Sequence, residues 1–203
     1  LRRLGEEALI VEFAPALTDA ANRAALAFRA AVDEAGWEGV QETSVTLKSA
    51  LVRFDPERLP HAEIESRLAD LLATRDWQAA ELPQGRTLWH IPAAFGGAHG
   101  PQLAEVADLV GAPEGALVDE LAAQQLRVLT IGFAPGQPYL GQMPERWDFP
   151  RQTELTPQVP KGAVVAAIRQ VIVFTVGTRT GWRQIGLSAF EGFRPRAGQP
   201  FPL

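Results

Sequence analysis

The residues of this 203-residue chain best suited to chemistry lie in two glycine-rich stretches. The first, Gly96-Gly97-Ala98-His99-Gly100-Pro101, precedes a helical pattern. Glycine turns at a helix N-terminus can aim several N–H groups at a phosphate or carboxylate. His99 would add a proton donor or acceptor. The same residues also suit a plain tight turn with a surface histidine. No Lys-Ser/Thr follows, so this is not a P-loop. The second stretch, LTIGFAPGQPYLGQMP, covers residues 129–144. Its prolines at 135, 138 and 144 fix φ and remove donors, which argues against a helix or a central strand. Gly132, Gly136 and Gly141 supply sharp bends or close backbone approach. Phe133, Pro135, Gly136, Tyr139 and Leu140 then either line a pocket or partner interface, or form a stiff connector with Tyr139 buried. Trp182, behind Gly181, either stacks on a ligand or packs in the core.

Several chemistries are excluded or unsupported. There is no cysteine, so disulfides, thiolate metal sites and a cysteine nucleophile are ruled out. His61, His90 and His99 are too scattered for a metal site, and no HExxH occurs. His90 alternates with Trp89 and reads as a structural strand residue. No GxSxG elbow is present, and Ser44, Ser49, Ser66 and Ser188 have no evident histidine partner. The acid pairs Glu6–Glu7 and Asp119–Glu120 read as ordinary solvated charges.

The net charge of −5 and the lack of a basic block argue against nucleic-acid binding. Residues 1–83 carry 9 basic and 15 acidic side chains, whereas 84–203 carry 10 and 9. From Arg146 onward the balance is 8 basic to 3 acidic, a bias that suits a small anionic substrate or an acidic partner, or simply a solvated exterior. No apolar run is long enough to span a membrane. Glu6, Glu7 and Glu12 interrupt any signal-peptide core, so a cytoplasmic protein is expected.

The elements that must position these residues fall into two halves. Ala8–Phe13 is a short strand. Thr18 suits a helix N-cap, Ala21, Ala25, Phe28 and Val32 recur at helical spacing, and Gly36 ends the helix. Trp37–Val45 and Lys48–Phe54 read as strands with a turn or bulge between them. Pro60 opens a helix with Ile64, Leu68, Leu71 and Leu72 on one face. A fourth strand is expected from Leu88–Ile91 or from around Trp77–Leu82. The resulting order is the split βαβ of ferredoxin-like folds, a fold that names no function. LPQGRT, at 82–87, suits a boundary between domains 1–83 and 84–203. In the second half, a helix carrying Leu103, Val106, Ala107 and Val110 has Pro101 near its first position, and Pro113 starts another through Leu117 and Leu121. AVVAAI, QVIVFTV and WRQIGL between Val159 and Leu187 read as strands of a small β-barrel-like domain. The tail, FRPRAGQPFPL, is expected to pack extended or to fray.

GGAHGP at 96–101, GFAPGQPYLGQMP at 132–144, VPKGAVVAA at 159–167 and GWRQIG at 181–186 occur in this order. Together with GEEALIVEF and ALVRFDP they resemble the family of the B component of 5-oxoprolinase, also called KipI-like or allophanate hydrolase subunit 1. GFxPGxPYLG is the specific element, and the similarity spans nearly the whole chain. The resemblance implies an α+β protein, with a ferredoxin-like N-terminal domain followed by a cyclophilin-like β-barrel domain. It implies a non-autonomous component of 5-oxoprolinase, working with a sister barrel protein (the C component) and with the A component in ATP-dependent opening of 5-oxoproline to glutamate. ATP would serve the complex, with no cofactor held tightly by this chain. Other members imply a regulatory module that inhibits a histidine kinase, and related domains, fused into urea carboxylase as its carboxyltransferase part, imply a carboxyltransferase- or allophanate-hydrolase-type subunit, although no biotin-attachment sequence is present here. On this resemblance Gly96, Gly97, His99, Gly100 and Pro101 would form an anion-binding turn. Phe133, Pro135, Gly136, Tyr139 and Leu140 would line the pocket or the contact with the C component. Gln170 and Trp182 are weaker ligand contacts, and no residue is assigned a proton-transfer role. The chain departs from the family pattern GGExGPDL at Ala98 and Gln102. It also departs from PGFPYLGGLP at Gln137 and Gln142, from GGQTGIYP at Ile168 and Arg169, and from GGW at Thr180.

Overall fold

The computed structural model describes residues Leu1–Leu203, which form two compact units, Leu1–Thr87 and Leu88–Leu203. In the first unit, β1 (Arg2–Arg3), β2 (Ala8–Glu12), α1 (Asp19–Ala35), β3 (Val40–Val45), β4 (Ser49–Phe54) and α2 (His61–Ala73) follow in order. The strands make an antiparallel sheet in the order β1-β2-β4-β3. Alternation sets its buried face: Leu9 pairs with Val52 and Val11 with Ala50, and all four are buried beside Phe54. The apolar stripe of α1 (Ala21, Ala24, Ala25, Phe28, Val32) is buried too, and Phe28, Val32, Ile64 and Leu68 share one core with the strands. Thr18 caps α1 by accepting the Ala21 N–H at 3.0 Å, and Gly36 ends it at φ 57°, a left-handed value that glycine adopts without strain.

The expected fourth strand is absent from both proposed positions. Trp77–Ala79 is instead a 3₁₀ turn, capped by Asp76, whose carboxylate accepts the Gln78 N–H at 2.9 Å. Trp77 is buried, with its ring edge on Phe28 at 5.0 Å and its indole N–H donated to the Leu72 carbonyl. That packing holds the segment off the sheet. Residues 88–91 form no strand, so His90 is not a strand residue, and Trp89 packs on Phe190. The edge place beside β2 goes to β1.

In the second unit, β5 (Ala93–Phe95), α3 (Leu103–Val110), α4 (Glu114–Ala123), β6 (Arg127–Ile131) and β7 (Pro138–Gly141) precede β8 (Thr156–Val159), β9 (Ala163–Ala167), β10 (Gln170–Val173), β11 (Thr178–Thr180) and β12 (Arg183–Ser188). Six strands form an antiparallel sheet in the order β5-β12-β9-β10-β7-β6, and β8 pairs with β11 separately. The hydrogen-bonded sheet is open, so the expected barrel does not close. β7 lies between β10 and β6, contrary to the expectation that prolines would keep this stretch out of a central strand. Pro138 opens the strand, a position where the missing N–H is tolerated. α3 starts at Leu103 with Gln102 as its N-cap, so Pro101 lies outside the helix. The tail, instead of running extended, folds back on itself, with the Phe193 and Phe201 rings stacked 5.2 Å apart and the Arg194 N–H donated to Pro200 O at 2.8 Å.

Candidate functional site

The Gly96–Pro101 turn is built against β12. Gly96 N–H donates to Ile185 O at 3.2 Å, and His99 and Gly100 N–H both donate to Gly96 O. Gln102 N–H donates to Gln184 O and Leu103 N–H to Gly100 O, each at 3.0 Å. Five N–H groups of the turn and the helix start, those of Gly96, His99, Gly100, Gln102 and Leu103, therefore already have carbonyl partners, which leaves those of Gly97 and Ala98 at the tip. A carboxylate oxygen of Glu114 also lies 3.6 Å from where a Cβ on Gly96 would sit. A phosphate would meet few open donors and a like charge there. Gly100 has a packing role, since a Cβ at this position would land on the Ile185 carbonyl. His99 is exposed, and its backbone rather than its ring ties it to the turn.

The residues replacing the family's acid at 102 and glycine at 180 have local structural partners. The Gln102 side-chain oxygen accepts the Gln184 N–H at 2.9 Å, and its amide N–H donates to Gln152 Oε1 at 2.8 Å. Gln184 Nε2 donates to His99 O at 2.8 Å. This chain of neutral amides fastens the turn to β12. Beside it, Arg183 Nε donates to Glu105 Oε1 at 2.7 Å and its Nη1 to Pro150 O. Thr180 Oγ1 accepts the Trp182 N–H at 3.1 Å.

Tyr139, Gln170 and Trp182 are brought to one face of the sheet. The register Tyr139–Ile172–Val165–Gln184 runs across four strands, and Gly141–Gln170–Ala167 forms a further row on the same face. Tyr139 and the residue preceding β12 belong to strands three places apart, yet the Tyr139 and Trp182 rings meet edge to face at 6.2 Å. This face is therefore concave and lies in the hydrophobic core: Trp182, Val165 and Ile172 belong to that core, Gln170 is buried and Tyr139 is half-buried against it. Leu140 alternates onto the opposite face.

The remaining candidates lie on the β6–β7 hairpin. Gly132 N–H donates to Gln137 O and Gln137 N–H to Ala134 O, each at 3.1 Å, which tightens the tip. Gly136, at φ 67°, fits directly against the Gly192 carbonyl and leaves no room for a Cβ. Phe133 stands out at the tip with 73% of its surface exposed and φ 69°. Gln137 is fully buried, and neither atom of its amide has a hydrogen-bond partner. Leaving such a group unpaired costs about 1–3 kcal/mol. Gln137→Met, close in volume and without the amide, is expected to raise stability by about 1 kcal/mol, read as a higher urea midpoint at unchanged slope.

One polar cluster was not visible as such in the sequence. Glu120 is not a free solvated charge: Trp147 Nε1 donates to it at 2.7 Å and Arg146 at 2.7–3.2 Å. Partial burial pushes its pKa up. The hydrogen bonds from Arg146 and Trp147 and the charge of Arg146 outweigh that and hold it below its ordinary 4.5. A carboxylate with a lowered folded pKa contributes stability above its unfolded value and loses it as pH falls through the folded one. The natural protein is therefore expected to lose more stability than Glu120→Gln between about pH 6 and about pH 3, checked by urea titration at each pH. No group of three or more His, Asp or Glu is placed to hold a metal ion, and no helix is long and apolar enough to cross a membrane.

The whole chain, residues 1–203, matches the model of a family described as carboxyltransferase domain, subdomain C and D. It is 33% identical over 203 residues to the B subunit of 5-oxoprolinase from Escherichia coli O157:H7, covering 98% of this chain and 89% of that protein. It is 28% identical over 214 residues to the B subunit of 5-oxoprolinase from Bacillus subtilis (strain 168), covering 98% and 86%. The crystal structure of TTHA0988 matches with a TM-score of 0.79 at 27% identity, over 97% of this chain but only 37% of that longer one. The chain belongs to this carboxyltransferase-domain family. Within it, its relatives are the proteins named as the B subunit of 5-oxoprolinase.

Proposed function

We propose that this chain is the B-type component of an ATP-dependent complex that opens 5-oxoproline to glutamate, together with a sister C component and an A component. The end-to-end similarity to proteins named as the 5-oxoprolinase B subunit carries this reading. The concave face supports it with neutral polar groups. Tyr139 and Gln170 can hydrogen-bond the lactam N–H and C=O, and Trp182 closes the face against water. The Gly96–Pro101 turn shapes the rim of that face through Gln184. ATP is then handled elsewhere in the complex, because the turn offers it few donors and sets Glu114 against it. The cyclophilin-like and ferredoxin-like descriptions belong to this same proposal. A second reading, a binding module for a partner such as a histidine kinase, is favoured by the exposed Phe133 alone.

The test is ATP-dependent glutamate release from 5-oxoproline by matched A and C components, with and without this chain. Turnover only in its presence supports the enzyme-component reading, and no complex with no turnover overturns it. In the active assembly, Tyr139→Ala is expected to lower turnover about a hundredfold, well beyond what its effect on folding explains. A loss matching the fall in folded fraction would instead make Tyr139 a structural residue.

A further inference from the structure

Gln137, Thr175 and Arg194 come together where the β6–β7 hairpin touches the segment after β12. The point of contact is a pair of glycines. A Cβ on Gly136 would lie 1.9 Å from Gly192 O and 3.1 Å from Phe193 N, and one on Gly192 would lie 3.0 Å from Thr175 Cγ2. Gln137 follows Gly136 and Arg194 follows Phe193, so each of the three residues lies at this contact or next to it. Each also brings a buried polar group with no hydrogen-bond partner: both amide atoms of Gln137, Oγ1 of Thr175 and Nε of Arg194. Gln137 is fully buried and Thr175 is 7% exposed. Folded proteins keep few such groups, and a cluster of them marks a place for water or a ligand. The junction is within reach of solvent, because Arg194 as a whole is half-buried and Val176, beside Thr175, is 41% exposed.

The unpartnered atoms define the chemistry that fits. Arg194 Nε–H, the Thr175 hydroxyl and the Gln137 NH2 are donors, and the first belongs to a cation. Glu191, the acid nearest to Arg194 in the chain, is paired with Lys161. A carboxylate suits such donors, and a guanidinium can hold it through two parallel N–H groups. The remaining atom, Gln137 Oε1, is an acceptor and calls for an N–H close to that carboxylate. We infer that this junction binds a small acid of that class, a carboxylate with an N–H on the adjacent carbon. 5-Oxoproline and glutamate both carry this pair of groups, one as a lactam and the other as an ammonium. The inference rests on the reaction proposed above only for the choice of these two probes. The site is separate from the concave face, since Gln170 pairs with Gly141 at one end of β7 and Gln137 precedes Pro138 at the other. A ligand here ties the hairpin that carries Phe133 to the segment after β12, which makes it an effector of the tip.

Heteronuclear NMR of the full nitrogen-labelled chain tests this, because the Gln137 NH2 and the Arg194 Nε–H are themselves reporters. Added 5-oxoproline or glutamate is expected to shift both signals saturably while the Trp182 indole signal stays in place, and the tighter of the two acids identifies the source. Thr175→Val and Arg194→Met should each weaken binding about tenfold or more. Gln137→Met decides the matter if those variants fail to fold: it should melt higher than the natural chain without ligand, yet bind the acid about tenfold more weakly. The inference is overturned if neither acid moves the Gln137 and Arg194 signals, if chloride or phosphate moves them equally, or if Gln137→Met binds as tightly as the natural chain. A shift of the Trp182 signal alone would put the acid on the concave face, which overturns this site and leaves the proposed reaction intact.

Discussion

Gly100→Ala is expected to destabilise the second unit by about 3 kcal/mol, and a bulkier residue by more. The added Cβ would fall on the carbonyl of Ile185, which belongs to β12, a strand hydrogen-bonded to β5 on one side and β9 on the other. The strand cannot retreat without breaking a ladder, and the turn is held to it by the Gly96 N–H on that same Ile185 carbonyl. Gly97→Ala makes the control. It faces open space, so only its φ of 50° counts, at about 1 kcal/mol. Urea unfolding of the two variants should separate them clearly. Equal, small losses would mean that the turn moves independently of β12, and the amide links from Gln102 and Gln184 could not then fasten it.

Phe133→Ala is expected to weaken assembly with a partner about a hundredfold, the loss of a central aromatic anchor worth about 3 kcal/mol. Stability of the isolated chain should hold. The ring is mostly in solvent, and φ 69° already strains an L-residue, so Phe133→Gly should leave the fold as stable or up to about 1 kcal/mol more so. Opposite signs for folding and binding are what an interface residue produces and a core residue does not. The tip is preorganised for this by its internal hydrogen bonds and by Gly136 locked on Gly192, which reduces the ordering cost on association. Affinity measured by calorimetry against the assembled companions, beside thermal melts of each variant, gives both numbers. An unchanged affinity would return the hairpin to the role of connector.

The parts of the fold that were legible in the sequence are those specified locally. Thr18 and Gly36 bracket α1 because capping chemistry depends on a few neighbouring residues, and the stripes on α1 and α2 follow from helical spacing. Elements defined by distant partners were not legible. β1, with two residues, exists only through Ile10 and Leu9, and β8 and β11 only through one another. Trp77 sits in a segment whose composition suits a strand, and its burial against Phe28 decides otherwise. The site divides in the same way. Tyr139, Gln170 and Trp182 could be named from their motifs, but their common face depends on a sheet curvature that no local pattern encodes. Gln184 was hidden within GWRQIG because its role comes from His99 and Gln102, over eighty residues away. Gln137 and Glu120 show the reverse, polar residues whose surroundings the sequence did not reveal.

The pairing of β5 with β12 also sets an order of events during synthesis. Ala93–Phe95 can find its sheet partner only once residues 183–188 have been made, and the Gly96–Pro101 turn has no anchor before then. All strand pairings of the first unit close within the first 54 residues. The first unit can therefore fold while the ribosome is still translating the second, whose long-range closure is slower. A chain stalled before residue 183 would expose β9 along one edge, an apolar strand open to aggregation. Strand β12 thus completes the sheet, and the turn beside the concave face is among the last parts of the second unit to become ordered.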